Sequence, residues 1–299
     1  MDNKILLESG TGDVEILEFK INGKNYGINV IKVKEILEID NITPLPLAHP
    51  SVAGLTLSRG EIITLINLRY VLEKGDTVTD DSKVIVCEFN QTTVAFTFDD
   101  IVGIHRISWN DIKPPEHMSD NQLVIGNIIF DDRIILLLDF EKIVTDINPD
   151  VGISEKSIDE IDFRDRSQVK LMLADDSALI RQLIKNTLTK AGYKDMKFFN
   201  DGQAALDHLD NLAKEKRENF LEDVHVLITD IEMPKLDGHT LTRRIKEHHI
   251  LKDLPVVIFS SLITDDLKHK GIAVGADAQM SKPEIGELVS LIDSLTLEK

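Results

Sequence analysis

The chain has 299 residues, 42% of them hydrophobic, with a formal net charge of −18 and a single cysteine. That length accommodates two domains with separate cores, and the acidity, present in both halves, excludes nucleic acid as the main partner because duplex binding needs clustered Lys and Arg. Cys87 alone excludes an internal disulfide framework and a cysteine-rich zinc site.

The apolar runs are too short to span a bilayer, and Met1-Asp2-Asn3-Lys4 has neither the basic nor the apolar region of a secretory signal. A cytoplasmic protein with no direct membrane insertion is expected.

From residue 14 to 140 the chain reads as short apolar runs of strand length: 14–21, 26–30, 62–68, 84–89, 93–98, 123–130 and 134–138. Asn22-Gly23 and Asp131-Asp132 fall where hairpin turns are needed. Repeated short strands with few convincing helices predict an all-β barrel or sandwich. This half has no catalytic constellation. His49, His105 and His117 lack metal-ligand spacing, and no serine or cysteine has a nearby base. Cys87 sits inside an apolar run and reads as a small buried hydrophobe; Trp109 reads as packing.

Residues 148–167 change character. Asn148-Pro149-Asp150, Gly152 and a charged run leave too few apolar groups to bury, which predicts an acidic linker. From residue 168 strand and helix alternate. Buried strands are predicted at 169–174, 196–199, 224–229, 255–260 and 276–280. Helices fit at 202–213, 238–248 and 264–273, with a last one from Glu284. The first helix is capped by Ser177, buries Leu179, Ile180, Leu183, Ile184 and Leu188, and ends at Gly192. Near-continuous apolar strands separated by helices indicate a five-stranded parallel sheet covered on both faces.

The chemistry collects at the carboxyl ends of those strands, where ligands bind in open parallel sheets. Asp175-Asp176 follow the first strand, Asp230-Ile231-Glu232-Met233-Pro234 the third, Ser260-Ser261 close the fourth, and Lys282-Pro283 follow the fifth. Adjacent carboxylates repel, and a divalent cation reverses that cost. Mg²⁺ takes oxygen ligands, so carboxylates with a backbone carbonyl suffice. Asp230 is the expected nucleophile, forming an aspartyl phosphate. Lys282 supplies positive charge and the Ser260 hydroxyl a donor. X–Pro tolerates the cis form at ~0.5–1 kcal/mol, so both isomers of Lys282–Pro283 are open.

This conjunction resembles the receiver domain of two-component response regulators, over residues 168–299. The resemblance implies a flavodoxin-like α/β fold and Mg²⁺ held by Asp175, Asp176, Asp230 and the backbone carbonyl of Glu232. It makes Asp230 the phosphoacceptor, with Ser260 as switch hydroxyl and Lys282 as the paired lysine, and Leu236-Asp237-Gly238 as the following turn. Gln279 stands where that family usually places a switch Tyr or Phe.

In the first half, Tyr26-Gly27-Ile28, Val33-Lys34-Glu35-Ile36-Leu37, Ile42-Thr43-Pro44-Leu45-Pro46, Val52-Ala53-Gly54-Leu55 and the run from Arg59-Gly60-Glu61 to Arg69 resemble, in order, the CheW family of chemotaxis adaptors. Thr64 and Asn67 replace a usual proline and aspartate. The resemblance covers residues 12–147 and implies paired small β-barrels, with Val33, Glu35, Arg59 and Gly60 as candidate contacts to receptor or kinase. Val33 also reads as core, Gly60 as a turn glycine and Arg59 as an internal brace.

A CheW-like domain followed by a receiver resembles the CheV family. The resemblance implies a non-enzymatic adaptor bridging chemoreceptor tips and the histidine kinase CheA, with CheW as a further partner, and located indirectly at the membrane. Phosphorylation of Asp230 would modulate the bridge, the receiver catalysing only its own phosphotransfer and dephosphorylation. Two alternatives stand beside it: a phosphate sink draining CheA, and a metal-dependent phosphohydrolase. The latter usually has a second Asp two residues after the nucleophile, where this chain has Glu232.

Overall fold

The structure is a computed structural model that describes residues 13–39, 41–74, 83–89, 92–113, 123–148, 163–263 and 265–297. Two compact units divide after Val151. His117 and most of the expected linker lie outside the described residues. Among the described residues no helix is long and apolar enough to cross a membrane.

Among the described residues the first unit holds ten strands: β1 (Asp13–Ile21), β2 (Lys24–Asn29), β3 (Val33–Glu38), β4 (Val52–Ser58), β5 (Glu61–Ile66), β6 (Lys83–Phe89), β7 (Thr92–Phe98), β8 (Asp100–Ser108), β9 (Val124–Phe130) and β10 (Arg133–Leu138). Two short helices, α1 (Leu68–Glu73) and α2 (Phe140–Ile147), accompany them. The strands form two five-stranded sheets, β8-β1-β2-β10-β9 and β3-β6-β7-β5-β4. Single bridges, Thr43 to Leu55 and Lys113 to Asn127, carry the chain leaving one edge strand across to the opposite edge. Each sheet thereby curls into a small barrel.

Three hairpins turn through residues with positive φ at both central positions: Asn22-Gly23, Arg59-Gly60 and Asp131-Asp132. That is the type I′ geometry, whose twist matches the flanking strands. Phe19 from β1 and Phe96 from β7 both pack against Phe140, 6.2 and 4.7 Å between ring centroids. The start of α2 thus plugs the space between the two sheets, a favourable burial of three fully enclosed rings.

The second unit alternates β11 (Lys170–Ala174), α3 (Ala178–Ala191), β12 (Asp195–Phe199), α4 (Gly202–Lys216), β13 (Val226–Thr229), α5 (Gly238–Glu247), β14 (Val256–Ser260), α6 (Asp265–Ala273), β15 (Ala278–Ser281) and α7 (Ile285–Thr296). All sheet pairings are parallel, in the order β12-β11-β13-β14-β15. Alternation along β11 splits the core in two. Met172 joins Leu209, Leu241 and Ile245 on one face, while Leu171 and Leu173 join Ile184, Leu188, Leu288 and Ile292 on the other. Ser177, Asp201 and Asp237 cap α3, α4 and α5, and Gly192 ends α3 in the left-handed region.

Candidate functional site

Strand order reverses at β11, which has β12 on one side and β13 on the other, so a crevice opens beyond the carboxyl ends of β11 and β13. Register pairs Ala174 with Thr229, and the Asp230 amide donates to the Ala174 carbonyl at 2.9 Å. Asp175 and Asp230 are therefore neighbours by construction. Ligand oxygens of Asp175, Asp176 and Asp230 lie within 4.8 Å of one another.

Lys282 arrives from the end of β15, 5% exposed. Its ammonium donates to Asp230 Oδ2 at 2.7 Å and pairs with Asp175 Oδ2 at 2.9 Å. The other oxygens are held by backbone: the Ile231 amide donates to Asp230 Oδ1 at 2.7 Å and the Ser177 amide to Asp175 Oδ1 at 2.8 Å. None of the described peptide bonds is cis, so Lys282–Pro283 is trans.

Burial raises the Asp175 carboxyl to about 6, with repulsion from Asp230 adding to the rise and Lys282 opposing it. Desolvation, then the charges of Asp230, Asp175 and Glu232, push Asp176 up to about 8. The Asp176 side chain itself still reaches solvent. Three crowded carboxylates beside one ammonium are short of positive charge. An all-oxygen donor set with that deficit fits a hard divalent cation such as Mg²⁺.

Ser260 is buried at the end of β14, its hydroxyl accepting from the Leu262 amide at 3.3 Å. The Gln279 side chain turns to α6, donating to the Lys268 carbonyl at 2.8 Å. It rests on Gly271, where an added Cβ would lie 2.1 Å from its amide oxygen.

Sequence reasoning missed one support and named the other only as part of a turn. The Arg181 guanidinium donates to the Asp175 carbonyl. Gly238 opens α5 so close to the main chain that an added Cβ would stand 1.9 Å from the Asp230 carbonyl oxygen. A glycine directly after the capping Asp237 was the available signal.

In the first unit, Glu35 and Arg59 form an ion pair of 2.7 Å, and Arg59-Gly60 make the β4–β5 turn. Val33 pairs with Cys87 at the start of β3. A buried carboxylate the sequence did not single out, Glu18, receives Arg133 through two bonds of 2.8 Å and contacts His105 at 2.6 Å. Arg133 holds Glu18 below the usual carboxylate range, against its desolvation.

Residues 15–148 match the CheW-like domain family and residues 171–293 the response regulator receiver domain family. The chain is 28% identical over 287 residues to chemotaxis protein CheV3 of Helicobacter pylori, covering 90% of each. It is 28% identical to chemotaxis protein CheW of Thermotoga maritima, over 47% of this chain and 94% of that protein. It is 33% identical to chemotaxis protein CheY1 of Helicobacter pylori, over 31% of this chain and 68% of that protein. These relatives favour neither the phosphate sink nor the phosphohydrolase. Two domains in this order, with a CheV protein matched over 90% of each chain, make this a chemotaxis coupling protein of CheV-type architecture, a CheW-like domain followed by a receiver domain.

Proposed function

We propose that this chain is a cytoplasmic adaptor that bridges chemoreceptor tips and the histidine kinase CheA, with CheW as a further partner, and that phosphorylation of Asp230 modulates the bridge. One observation carries the second part: a buried lysine bonded to Asp230, with two further carboxylates within 4.8 Å. Asp175, Asp176, Asp230 and the Glu232 carbonyl are the proposed holders of Mg²⁺. When bound, the ion neutralises charge on the transferring phosphoryl oxygens.

The chain's own groups do the rest. An Asp230 carboxylate oxygen attacks phosphorus of the donor phosphohistidine as the P–N bond breaks, and the departing imidazole nitrogen keeps the electron pair and takes a proton. An acyl phosphate forms. Lys282, already positioned, stabilises the added negative charge, and the Ser260 hydroxyl donates to a phosphoryl oxygen. On this reading the receiver catalyses only its own phosphotransfer and dephosphorylation.

In the CheW-like half, Val33, Glu35, Arg59 and Gly60 are proposed contacts for receptor or kinase. The ion pair of Glu35 with Arg59 supports a second role for both as a brace of the β4–β5 hairpin. Association with the membrane is then indirect, through receptor arrays. Incubating the protein with phosphorylated CheA and Mg²⁺, then mapping the label, tests the reading. Label on Asp230 that disappears in Asp230→Asn is expected; label elsewhere, or identical kinase control by wild type and Asp230→Asn under phosphorylating conditions, refutes it.

A further inference from the structure

The short stretch 163–167, just before β11, contains an arginine withdrawn from solvent. Arg166 is 7% exposed although it lies in no helix or strand. Its guanidinium grips Asp293 on α7 as a fork, Nε to Oδ1 at 2.7 Å and Nη2 to Oδ2 at 2.6 Å. The Tyr193 hydroxyl donates to the same Oδ1 at 2.9 Å, and its ring lies 5.4 Å from the guanidinium carbon. Nη1 donates to the Ala191 carbonyl. The backbone amides of Arg164 and Arg166 add bonds of 3.3 Å to the carbonyls of Ala191 and Gly192.

This strap crosses the end of α3 at close range. A Cβ on Gly192 would stand 1.9 Å from the Arg164 carbonyl oxygen, and φ there is +104°. Arg166 holds the Asp293 carboxyl below its ordinary range, the Tyr193 hydroxyl adding to the effect, so the pair is ionised at neutral pH. Buried ion pairs are poor sources of net stability, whereas a bidentate fork fixes orientation. What it orients is the end of the connecting segment against α7.

The other end of α7 is tied to the carboxylate site. The Ser281 amide donates to Glu284 Oε2 at 3.3 Å across the turn that contains Lys282, and α7 begins directly after it. From Ile285 to Asp293 the helix rises ~12 Å as one rigid rod. Phosphorylation of Asp230 changes the charge that the Lys282 ammonium holds, and the first turn of α7 is covalently next to it.

We infer that the Arg166–Asp293 fork couples the phosphorylation site to the segment joining the two domains, by way of Lys282 and α7. The inference rests on the reading of Asp230 as phosphoacceptor. Its input is a change at Lys282; its output is a change in how residues 163–167 are held.

The test is amide hydrogen exchange on the full chain, with Mg²⁺ alone and with Mg²⁺ plus acetyl phosphate, modification of Asp230 being read in parallel by mass. In wild type, exchange across 163–167 should change about threefold or more on phosphorylation. A variant combining Arg166→Met, Asp293→Leu and Tyr193→Phe removes the fork without leaving a buried charge or hydroxyl. It should still be phosphorylated, with the response in 163–167 lost. Should that variant fail to fold, Asp293→Asn, which weakens the fork at constant volume, should shrink the response. A phosphorylated wild type with unchanged exchange in 163–167 overturns the coupling alone, as does a full response in the foldable variant. An unmodified Asp230 overturns the receiver reading and the coupling with it.

Discussion

Replacing Gly238 by alanine tests whether main-chain proximity, and not only side-chain chemistry, holds Asp230 in place. The new Cβ would meet the Asp230 carbonyl oxygen at 1.9 Å, its carbon at 2.9 Å and the Ile231 Cα at 3.1 Å. All three are backbone atoms, so no flexible side chain can yield. Restoring an ordinary contact of 3.4 Å at the oxygen requires a separation of about 1.5 Å. That movement must come from one of two places. Either α5 retreats and breaks the Gly238 amide bond to the Ile231 carbonyl, now 2.9 Å, or Asp230 shifts against Lys282, now 2.7 Å away. Overpacking of this kind costs about 1–3 kcal/mol, which a domain of ordinary stability survives. A misplacement near 1 Å slows a positioned reaction about 100-fold. We expect Gly238→Ala to retain its far-UV circular dichroism while its phosphorylation by acetyl phosphate falls about 100-fold. Gly192→Ala places its Cβ at the same 1.9 Å from a backbone oxygen, at the far end of α3, and serves as the control. Wild-type phosphorylation rates in folded Gly238→Ala would refute the reasoning.

Lys282→Ala removes the one ammonium bonded to both Asp175 and Asp230; phosphoryl transfer should slow about 100-fold or more in single-turnover measurements, and a loss below tenfold would count against its role. Cys87 is fully buried and desolvation pushes its thiol well above the ordinary range, so a disulfide reagent should label it only at the rate of unfolding; rapid labelling of folded protein would contradict the placement. His239 is buried on α5, and burial followed by Lys270 on α6 lowers it to about 4, against the opposing influence of Asp237 and the Leu267 backbone. Its folded value lies below the unfolded value near 6.5, so the stability it contributes is complete above 6.5 and about 3 kcal/mol is lost as pH falls to 4. Chemical denaturation of wild type and His239→Leu across that window should show the difference, and parallel curves would refute it.

The second half was more legible than the first because its central strands β11, β13 and β14 are buried on both faces. Those three read as near-continuous apolar runs, and Asp175, Asp230 and Ser260 stand where the runs stop. In the first half β3, β4 and β8 escaped notice for a physical reason. β3 alternates half-buried and exposed positions along Val-Lys-Glu-Ile-Leu-Glu, so charged residues interrupt its pattern. β8 is likewise broken by Gly103, His105 and Arg106, and β4 by Gly54, whose φ is +148°. The helices α1 and α2 hide because each continues an apolar run already assigned to a strand; the caps Asn67 and Asp139 are what separate them. Contacts such as Glu18 with Arg133, 115 residues apart, leave no local trace at all. Gln279 was visible as a departure, but its bond to Lys268 and its seat on Gly271 emerge only when β15 and α6 are placed together.

Lys282 and Asp230 reach each other across an intervening strand, and this gives Ser260 a second meaning. The sheet order puts β14 between β13 and β15, so the two residues leave strands about 10 Å apart. The lysine side chain must therefore pass over the end of β14, where Ser260 and Ser261 sit buried at 1% and 6% exposure. A bulky side chain there would stand in its way, and an acidic one would compete with Asp230 for the ammonium. Serine satisfies the steric condition first, by being small. Only then does its hydroxyl become available to a phosphoryl group on Asp230. The fold thus demands a small residue at the same position where the proposed chemistry wants a donor, and one residue type meets both demands.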